Sequence, residues 1–308
     1  MPDFLTLDGL PPATLTALLD ASAAYKRGRP HAAAPWLAGK TVAVVLEKAS
    51  TRTRVGFEVA IRELGGGVTV LTSEGSQLGR GEPIEDTARV LSRMGHAIVF
   101  RTFGDDRLQR MAAAADVPVI NALTDQEHPC QIVADLLTVR ERFGTVDVKL
   151  AWIGDGNNMA VSWLHAAATF KLTLTLACPV GYRPEPKVVA AARAAGAKVD
   201  VVDDPRVAAA GADVVMTDVW ASMGQEGEAA ARQRAFAGYL VDDALLGVAS
   251  PRAIVLHCLP AHRGEEISAS IMDGPRGAAI WDQAENRLHT HKAILELAMT
   301  GAAVGPAT

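Results

Sequence analysis

Short apolar runs alternate with helix-type patterns along almost the whole chain. The runs that predict strands lie at residues 41–46, 68–71, 97–101, 117–121, 148–153, 172–177, 199–202, 213–217, 253–258 and 278–281. Repeated strand-then-helix order implies parallel sheets, because each crossover places a helix on a face of the sheet. We therefore predict an α/β fold with two domains, each an open parallel sheet with helices on both faces.

The division between the domains is expected near Gly144, where an amphipathic helix ends in a turn. A chain of 308 residues has room for two domains of ordinary size. We place the first domain at residues 1–142 and the second at residues 143–287. The C-terminal helix, at about 288–308, has no strand after it, and we expect it to pack back on the first domain.

Composition and charge exclude several classes of protein. The chain has 49% hydrophobic and 21% charged residues, which is ordinary for a globular protein. A net charge of −5 with 5% aromatic residues leaves neither the basic stripe nor the stacking platform of a nucleic-acid binder. No apolar run approaches the roughly 18 residues of a membrane span, and residues 1–4 do not begin a signal peptide. Three cysteines without Cys-x-x-Cys spacing predict a reduced, cytoplasmic protein with no zinc site.

A segment of hydroxyl and arginine residues stands between the first predicted strand and a helix. It places Ser50, Thr51, Arg52 and Thr53 on the first helical turn. The unpaired N–H groups and the dipole of that turn favour an anion, and Arg52 adds a planar fork that matches phosphate oxygens. An ordinary N-cap followed by solvated arginines fits the same residues. The Gly-x4-Gly-Lys-Ser/Thr pattern of a nucleoside triphosphate site is missing.

Ligands of open parallel sheets bind outside the carboxyl ends of the strands, so the residues that follow strands are candidates. In the first half these are Arg101 and the segment His128-Pro129-Cys130-Gln131, whose proline suits a helix start. In the second half, residues 154–159 resemble a dinucleotide fingerprint, but Met159 stands where the third glycine is required, so we exclude NAD. Asn157 and Asn158 are then either amides that face a ligand or members of a plain turn.

Three further segments follow strands of the second half. Asp218 comes directly after a strand, where it can pair with an amine or cap a turn, and Ser222-Met223-Gly224 lies behind it. His257-Cys258-Leu259-Pro260 follows the next strand. Arg287 follows the last predicted strand.

Four motifs in this order resemble those of the ornithine carbamoyltransferase family. They are Ser-Thr-Arg-Thr-Arg at 50–54, His-Pro-Cys-Gln at 128–131, Asp-x3-Ser-Met-Gly at 218–224 and His-Cys-Leu-Pro at 257–260. The first two are similar to those of carbamoyltransferases in general and imply carbamoyl phosphate as the donor. The last two imply ornithine as the acceptor. The resemblance covers nearly the whole chain and implies transfer of a carbamoyl group to the δ-amine of L-ornithine, giving citrulline and phosphate.

The resemblance also implies a carbamoyl-phosphate site in the first domain, completed by three later residues. The residues concerned are Ser50, Thr51, Arg52, Thr53, Gln77, Arg101, His128, Pro129, Cys130, Gln131, Cys258, Leu259 and Arg287. Thr53, Arg101 and His128 would polarise the carbonyl and stabilise the tetrahedral oxyanion, while Gln131 would contact the carbamoyl amide. Gln77 would come from a neighbouring subunit, which implies a homotrimer or a multiple of trimers.

The ornithine site implied for the second domain consists of Asn157, Asn158, Asp218, Ser222 and Met223. Asp218 would take the α-ammonium group and Asn158 the carboxylate side, with Ser222 and Met223 closing over the ligand. The implied catalytic residues are Arg52, Thr53, Arg101, His128, Gln131, Asp218 and Cys258. Cys258 would line the δ-amine site, next to a backbone carbonyl offered by Leu259. Because the amine attacks directly, no covalent cysteine intermediate is needed. We expect no metal, because the acidic residues at the strand ends are single and no His/Cys/Asp cluster has ligand spacing. We expect no organic cofactor, because carbamoyl phosphate is already activated.

Two alternatives stay open at this point. The first is a related carbamoyltransferase whose acceptor is N-acetylornithine, putrescine or aspartate, and Asp218 with Cys258 argues against it. The second is a non-catalytic partner subunit that binds carbamoyl phosphate, and the intact Arg52, Arg101 and His128 argue against it. The motifs place the chain in arginine-type metabolism without distinguishing the biosynthetic from the degradative direction.

Overall fold

The computed structural model of the chain describes residues 2–29, 35–221 and 226–306. It divides into two compact units. The first unit comprises Met1–Leu137 and Glu285–Thr308, and the second comprises Thr138–Ala284.

Strands and helices alternate through most of both units. The strands are β1 (Thr41–Leu46), β2 (Gly67–Thr72), β3 (Ala97–Arg101), β4 (Val119–Leu123), β5 (Lys149–Ile153), β6 (Thr173–Ala177), β7 (Lys198–Val202), β8 (Val214–Thr217) and β9 (Ile254–His257). The α-helices are α1 (Pro12–Arg27), α2 (Thr51–Glu63), α3 (Ile84–Met94), α4 (Asp105–Ala114), α5 (Pro129–Phe143), α6 (Asn158–Phe170), α7 (Pro186–Ala194), α8 (Pro205–Ala209), α9 (Ala229–Ala235), α10 (Asp243–Leu246), α11 (Ala269–Met272) and α12 (Ala278–Thr300). Among the helices in the described ranges, none combines the length and the apolar character needed to cross a lipid bilayer.

The sheet of the first unit is parallel, with strand order β2-β1-β3-β4. The central strands β1 and β3 are buried along almost their whole length. Burial on both faces explains why these strands are continuous apolar runs without alternation. The chain leaves β1 toward β2 on one side, whereas it runs from β3 to β4 on the other. The carboxyl ends of β1 and β3 therefore form a topological switch point, which is the usual place for a ligand in such a sheet.

The sheet of the second unit is also parallel, with strand order β7-β6-β5-β8-β9. Its switch point lies between β5 and β8. The core beside it contains the fully buried Phe236, whose ring contacts Tyr182, Trp220 and Tyr239 at centroid distances of 4.9, 5.8 and 5.9 Å. Such aromatic contacts contribute about 0.5–1.5 kcal/mol each beyond the area that they bury.

The two parallel sheets with their surrounding helices confirm the predicted α/β class. The strand predicted at residues 278–281 is wrong, because these residues begin α12. Ala279 and Ile280 are buried there while 51% of Trp281 is exposed, and a run of four apolar residues does not distinguish a strand from the buried face of a helix. It follows that Arg287 lies within a helix and not after a strand. Strand β4 begins at Val119, since the preceding proline has no N–H for the ladder.

Helices α2 and α12 are in close contact within the first unit. The imidazole of His291 stacks on Phe57 with ring centroids 3.7 Å apart. The same ring lies over Gly56, where an added β-carbon would be 2.9 Å from two of its atoms. Lys292 forms an ion pair with Glu63 farther along α2. The missing side chain at position 56 therefore sets how closely the two helices approach.

We expect Gly56→Ala to destabilise the protein by about 1–3 kcal/mol, the usual cost of overpacking a buried contact. Helix propensity alone would give the opposite change in the free energy of unfolding, because alanine is favoured over glycine inside a helix by about 1 kcal/mol. Chemical denaturation of Gly56→Ala in the native background and in a His291→Ala background measures the effect. In the second background the new methyl group has room, so there the substitution should stabilise. The same destabilisation in both backgrounds would contradict the packing argument.

Candidate active site

The start of α2 is the candidate phosphate site, called the cradle, and it consists of Ser50, Thr51, Arg52 and Thr53. Ser50 is the N-cap of the helix, and its side-chain oxygen accepts a hydrogen bond of 3.3 Å from the Thr53 N–H. Thr53 is buried, and its hydroxyl oxygen accepts a hydrogen bond of 2.8 Å from Nη2 of Arg287. Arg287 thus leaves the Thr53 hydroxyl hydrogen available for a ligand. The positive end of the helix dipole acts at the same place.

The end of β3 is tied to the segment that leads into the cradle. The Glu47 N–H donates to the Arg101 carbonyl oxygen at 2.9 Å, and Leu46 pairs with Arg101 in the sheet. The Glu47 carboxylate is held in turn by Thr102 and by Arg107, whose Nε donates to it at 2.9 Å. These contacts place Arg101 beside the start of α2. The motif pattern did not reveal the supporting role of Glu47 and Arg107, since they are 60 residues apart.

His128 is a buried imidazole among arginine side chains. Burial, followed by the positive charges of Arg287 and Arg101, lowers the pKa of His128 well below its usual value of 6.5. Arg52 acts in the same direction. The imidazole is therefore neutral at neutral pH, because both the low dielectric and the nearby cations disfavour its protonated form. A neutral imidazole still has one N–H with which to donate a hydrogen bond.

The residues after His128 begin α5, with Pro129 in the first position. The Gln131 side chain donates through Nε2 to Oδ1 of Asp135 at 2.8 Å. Its carbonyl oxygen Oε1 is buried and accepts no hydrogen bond within the described part of the chain. Cys130 points elsewhere, with Sγ 3.2 Å from the carbonyl oxygen of Asn121, and burial raises the pKa of its thiol to about 12. Gln131 thus has a buried acceptor to offer a ligand.

Gln77 is separate from these residues. It is exposed and immediately precedes a short 3₁₀ helix, Leu78–Arg80. Its backbone carbonyl accepts hydrogen bonds from the N–H groups of Arg80 and Glu82. An exposed polar side chain on an ordered turn is suited to a contact with another molecule.

In the second unit the switch point between β5 and β8 carries an acceptor cluster, a name used here for Asn157, Asp218 and Cys258. The Asp218 carboxylate is almost fully buried. It accepts hydrogen bonds from Asn157 Nδ2 at 3.0 Å and from Cys258 Sγ at 3.2 Å, one on each oxygen. Each carboxylate oxygen retains a second lone pair. The cluster is therefore a fixed anionic site that suits a cationic ligand group.

The two asparagines predicted to face a ligand, Asn157 and Asn158, have different positions in the structure. Asn157 is the N-cap of α6, with Oδ1 accepting from the N–H groups of Met159 and Ala160 at 3.0 and 3.3 Å. Asn158 is the first residue of that helix and is partly exposed. Two other predicted ornithine residues, Ser222 and Met223, lie outside the described residues.

An ion pair joins the two loops of the acceptor cluster, and sequence patterns did not indicate it. Nη1 of Arg232 donates to Asp155 Oδ2 at 2.6 Å and to the carbonyl oxygen of Trp220 at 2.9 Å. The guanidinium also lies 5.0 Å from the ring centroid of Tyr182, within cation–π range. Arg232 therefore fixes the turn after β5 relative to the loop after β8. Its partner Asp155 is 77 residues away in the chain, so no local pattern links the two.

Two groups of three residues bring potential metal-ligand atoms within 4.8 Å of one another: Asp218, His257 and Cys258, and His262, Glu265 and Glu266. The spacing of these residues along the chain does not indicate either group. In the first group, both ring nitrogens of His257 are already engaged by Leu259 and Glu266. Hydrogen bonding thus accounts for that arrangement.

Comparison with known proteins identifies the family. The family model "Aspartate/ornithine carbamoyltransferase, carbamoyl-P binding domain" matches residues 2–141, and "Aspartate/ornithine carbamoyltransferase, Asp/Orn binding domain" matches residues 146–298. The ornithine carbamoyltransferase of Acidothermus cellulolyticus is 60% identical over 304 residues, which cover 97% of both chains. Among solved structures, ornithine carbamoyltransferase from Pyrococcus furiosus has a TM-score of 0.91 at 43% identity over 97% of both chains. That from Gloeobacter violaceus has a TM-score of 0.86 at 47% identity, over 98% of this chain and 99% of the other. The chain therefore belongs to the ornithine carbamoyltransferases of the aspartate/ornithine carbamoyltransferase family.

Proposed function

We propose that the protein transfers the carbamoyl group of carbamoyl phosphate to the δ-amine of L-ornithine, giving L-citrulline and phosphate. The observation that carries the proposal is the hydrogen bond of 2.8 Å from Arg287 to the buried Thr53 at the start of α2, together with the buried His128, whose pKa is lowered by burial and by the charges of Arg287, Arg101 and Arg52. The arginine guanidinium groups suit a phosphate group, and the neutral His128 imidazole suits a carbonyl oxygen as a hydrogen-bond donor. The first unit would be the carbamoyl-phosphate domain, and the second would be the ornithine domain.

The phosphate group would bind at the start of α2. Backbone N–H groups of the first turn and the hydroxyls of Ser50, Thr51 and Thr53 would donate to its oxygens. The guanidinium groups of Arg52 and Arg101 would add charge-assisted, forked hydrogen bonds. Arg287 acts through Thr53, to which it donates, and adds its own charge to the site.

The carbamoyl group needs donors at its oxygen and an acceptor at its amide. Thr53, Arg101 and His128 would donate to the carbonyl oxygen, which becomes an oxyanion as the amine adds. Loss of one such donor typically raises the barrier by about 2.7–4 kcal/mol. The buried Oε1 of Gln131 would accept from the carbamoyl NH₂ group. This acceptor matches the NH₂ group of a carbamoyl substrate.

Ornithine would bind at the acceptor cluster. Asp218 would pair with its α-ammonium group and Asn158 with its carboxylate, while Ser222 and Met223 would close over it. Cys258 and the backbone carbonyl of Leu259 would line the path of the δ-amine. The amine must be neutral in order to attack, and it would displace phosphate from the carbamoyl carbon without an enzyme-bound acyl group.

We further propose a cytoplasmic homotrimer that serves arginine metabolism. The exposed Gln77 would reach the carbamoyl-phosphate site of the adjacent subunit. Closed rings of identical subunits are a common arrangement in which one chain completes the site of the next.

A panel of acceptors tests the reaction. We expect citrulline from carbamoyl phosphate and ornithine, and no product with N-acetylornithine, putrescine or aspartate. Arg52→Ala should reduce turnover by at least about 100-fold, because it removes a charge-assisted phosphate contact and weakens the field at the reacting group. Arg54→Ala is the matched control, since Arg54 lies on the same helix but is exposed and paired with Glu58. Turnover with a different acceptor would overturn the assignment of Asp218 and Cys258.

The pH dependence should report the amine. An alkylamine has a pKa near 10.4, so its neutral fraction, and with it kcat/KM for ornithine, should rise about tenfold per pH unit between neutral and mildly alkaline pH. His128 should not contribute to this rise, because its depressed pKa keeps it neutral throughout that range. His128→Asn should therefore lower the rate at every pH and leave the slope unchanged. A flat profile for the native enzyme would contradict direct attack by the free amine.

Subunit mixing tests the role of Gln77. Gln77→Ala and Arg52→Ala should each be nearly inactive alone. If Gln77 acts in the adjacent subunit, an equal mixture dissociated and reassembled should recover up to about one quarter of native activity, the random fraction of sites with both residues intact. Reassembly of each variant with itself is the control. Persistent inactivity of the mixture would place Gln77 in the site of its own chain.

A further inference from the structure

A buried chain of hydrogen bonds lies directly behind Cys258 and Leu259. His257 is the last residue of β9, and its Nε2 lies 3.0 Å from Oε1 of Glu266. Both side chains are buried. On the other edge of the imidazole, Nδ1 is 2.9 Å from the backbone nitrogen of Leu259.

The direction of each hydrogen bond follows from its donors. A backbone N–H can only donate, so the Leu259 N–H requires Nδ1 of His257 to be an acceptor. The ring proton is then on Nε2 and is donated to Glu266. Oε1 of Glu266 also accepts a hydrogen bond of 2.6 Å from the backbone N–H of His262. The backbone N–H of His257 donates to Gln283 Oε1 at 3.0 Å. These contacts hold the imidazole in one tautomer and one orientation.

The backbone that this imidazole holds is in an unusual conformation. Leu259 has φ of 61°, in the left-handed region, and it is not a glycine. The conformation costs about 1–2 kcal/mol for an L-residue, so it persists only where other contacts impose it. The hydrogen bond from Leu259 N–H to His257 Nδ1 is such a contact. It fixes the turn that carries the Leu259 carbonyl and follows Cys258, whose Sγ contacts Asp218.

We propose that Glu266 and His257 are positioning residues for the acceptor amine. Glu266 fixes the tautomer of His257, His257 fixes the backbone of Leu259, and Leu259 with Cys258 lines the route of the amine. Neither side chain would touch a substrate. The inference rests on the proposed function and extends it to a residue in none of the four motifs.

The other oxygen of Glu266 favours positioning over simple stabilisation. Oε2 is buried and has no hydrogen-bond partner in the described part of the chain. A buried carboxylate with an unsatisfied oxygen is unfavourable for folding. A residue selected for stability alone would satisfy this atom or replace it by an apolar group.

The decisive substitution is Glu266→Met, which keeps the length of the side chain but removes the acceptor. Without it the proton of His257 is free to move to Nδ1, where it would oppose the Leu259 N–H. We expect kcat/KM for ornithine to fall about 10- to 100-fold, as a misplacement of the order of 1 Å does at a reacting centre. Binding of carbamoyl phosphate, measured by calorimetry, should weaken much less than this, because of its predicted contacts only Cys258 and Leu259 lie on the displaced turn. Glu266→Gln keeps an oxygen acceptor and should recover most of the lost activity.

The matched control and a second-site variant separate positioning from folding. Glu265→Met alters the neighbouring residue, which is partly exposed and lies 3.6 Å from the His262 imidazole, and it should change neither substrate parameter. In His257→Asn, the amide oxygen accepts from Leu259 N–H and has no tautomer to fix. Glu266→Met should therefore have a much smaller effect in the His257→Asn background than in the native background.

The outcomes are distinguishable. Additive effects of the two substitutions, or a loss of thermal stability with native kinetics in the folded fraction, would overturn the inference and leave a structural ion pair. Equal changes in carbamoyl-phosphate binding and ornithine kinetics would also overturn it. If the native protein itself forms no citrulline, the proposed function is wrong and the inference that rests on it is overturned too. Native citrulline formation with unchanged kinetics in Glu266→Met overturns the inference alone.

Discussion

Parallel pairing of β1 with β3, and of β5 with β8, is the constraint on which both sites depend. In each pair the chain departs in opposite directions, so no crossover covers the carboxyl ends of the two strands. Pairing of the strands therefore places residues that are distant in sequence at the same edge of the sheet, and no contact between their side chains is needed for this. The cradle and Arg101 come together at one such edge, and Asn157 and Asp218 at the other.

The two edges have opposite electrostatic character. In the first unit, burial and the positive charges of three arginines lower the pKa of an imidazole and keep it neutral. In the second unit a buried carboxylate is held by an amide and a thiol. Under the proposed function, the anionic donor and the cationic acceptor would each meet a field of opposite sign, so charge alone would disfavour either substrate at the site of the other. The net charge of the whole chain, −5, does not indicate that one site is cationic and the other anionic.

The sequence predicted what depends on local pattern and missed what depends on distant contact. Apolar runs located β1 and β3, and the position of a motif after a strand placed Arg101, His128 and Asp218 at strand ends. By contrast, the hydrogen bond from Arg287 to Thr53 joins residues 234 apart, and nothing near Arg287 in the sequence indicates it. The strand predicted at residues 278–281 is wrong because four apolar residues are too few to distinguish the period of a strand from that of a helix.

The state of Cys258 decides between two kinds of carbamoyl transfer. A covalent route would need its thiolate, yet the Sγ of this residue lies 3.2 Å from the Asp218 carboxylate and donates its hydrogen to it. Ionising the thiol would set two negative charges side by side in a largely buried place, which like-charge repulsion opposes. The same carboxylate is proposed to pair with the α-ammonium group of ornithine. The proposed arrangement therefore disfavours the cysteine as a nucleophile and binds ornithine by its α-ammonium group, which leaves the δ-amine to attack the carbamoyl carbon directly.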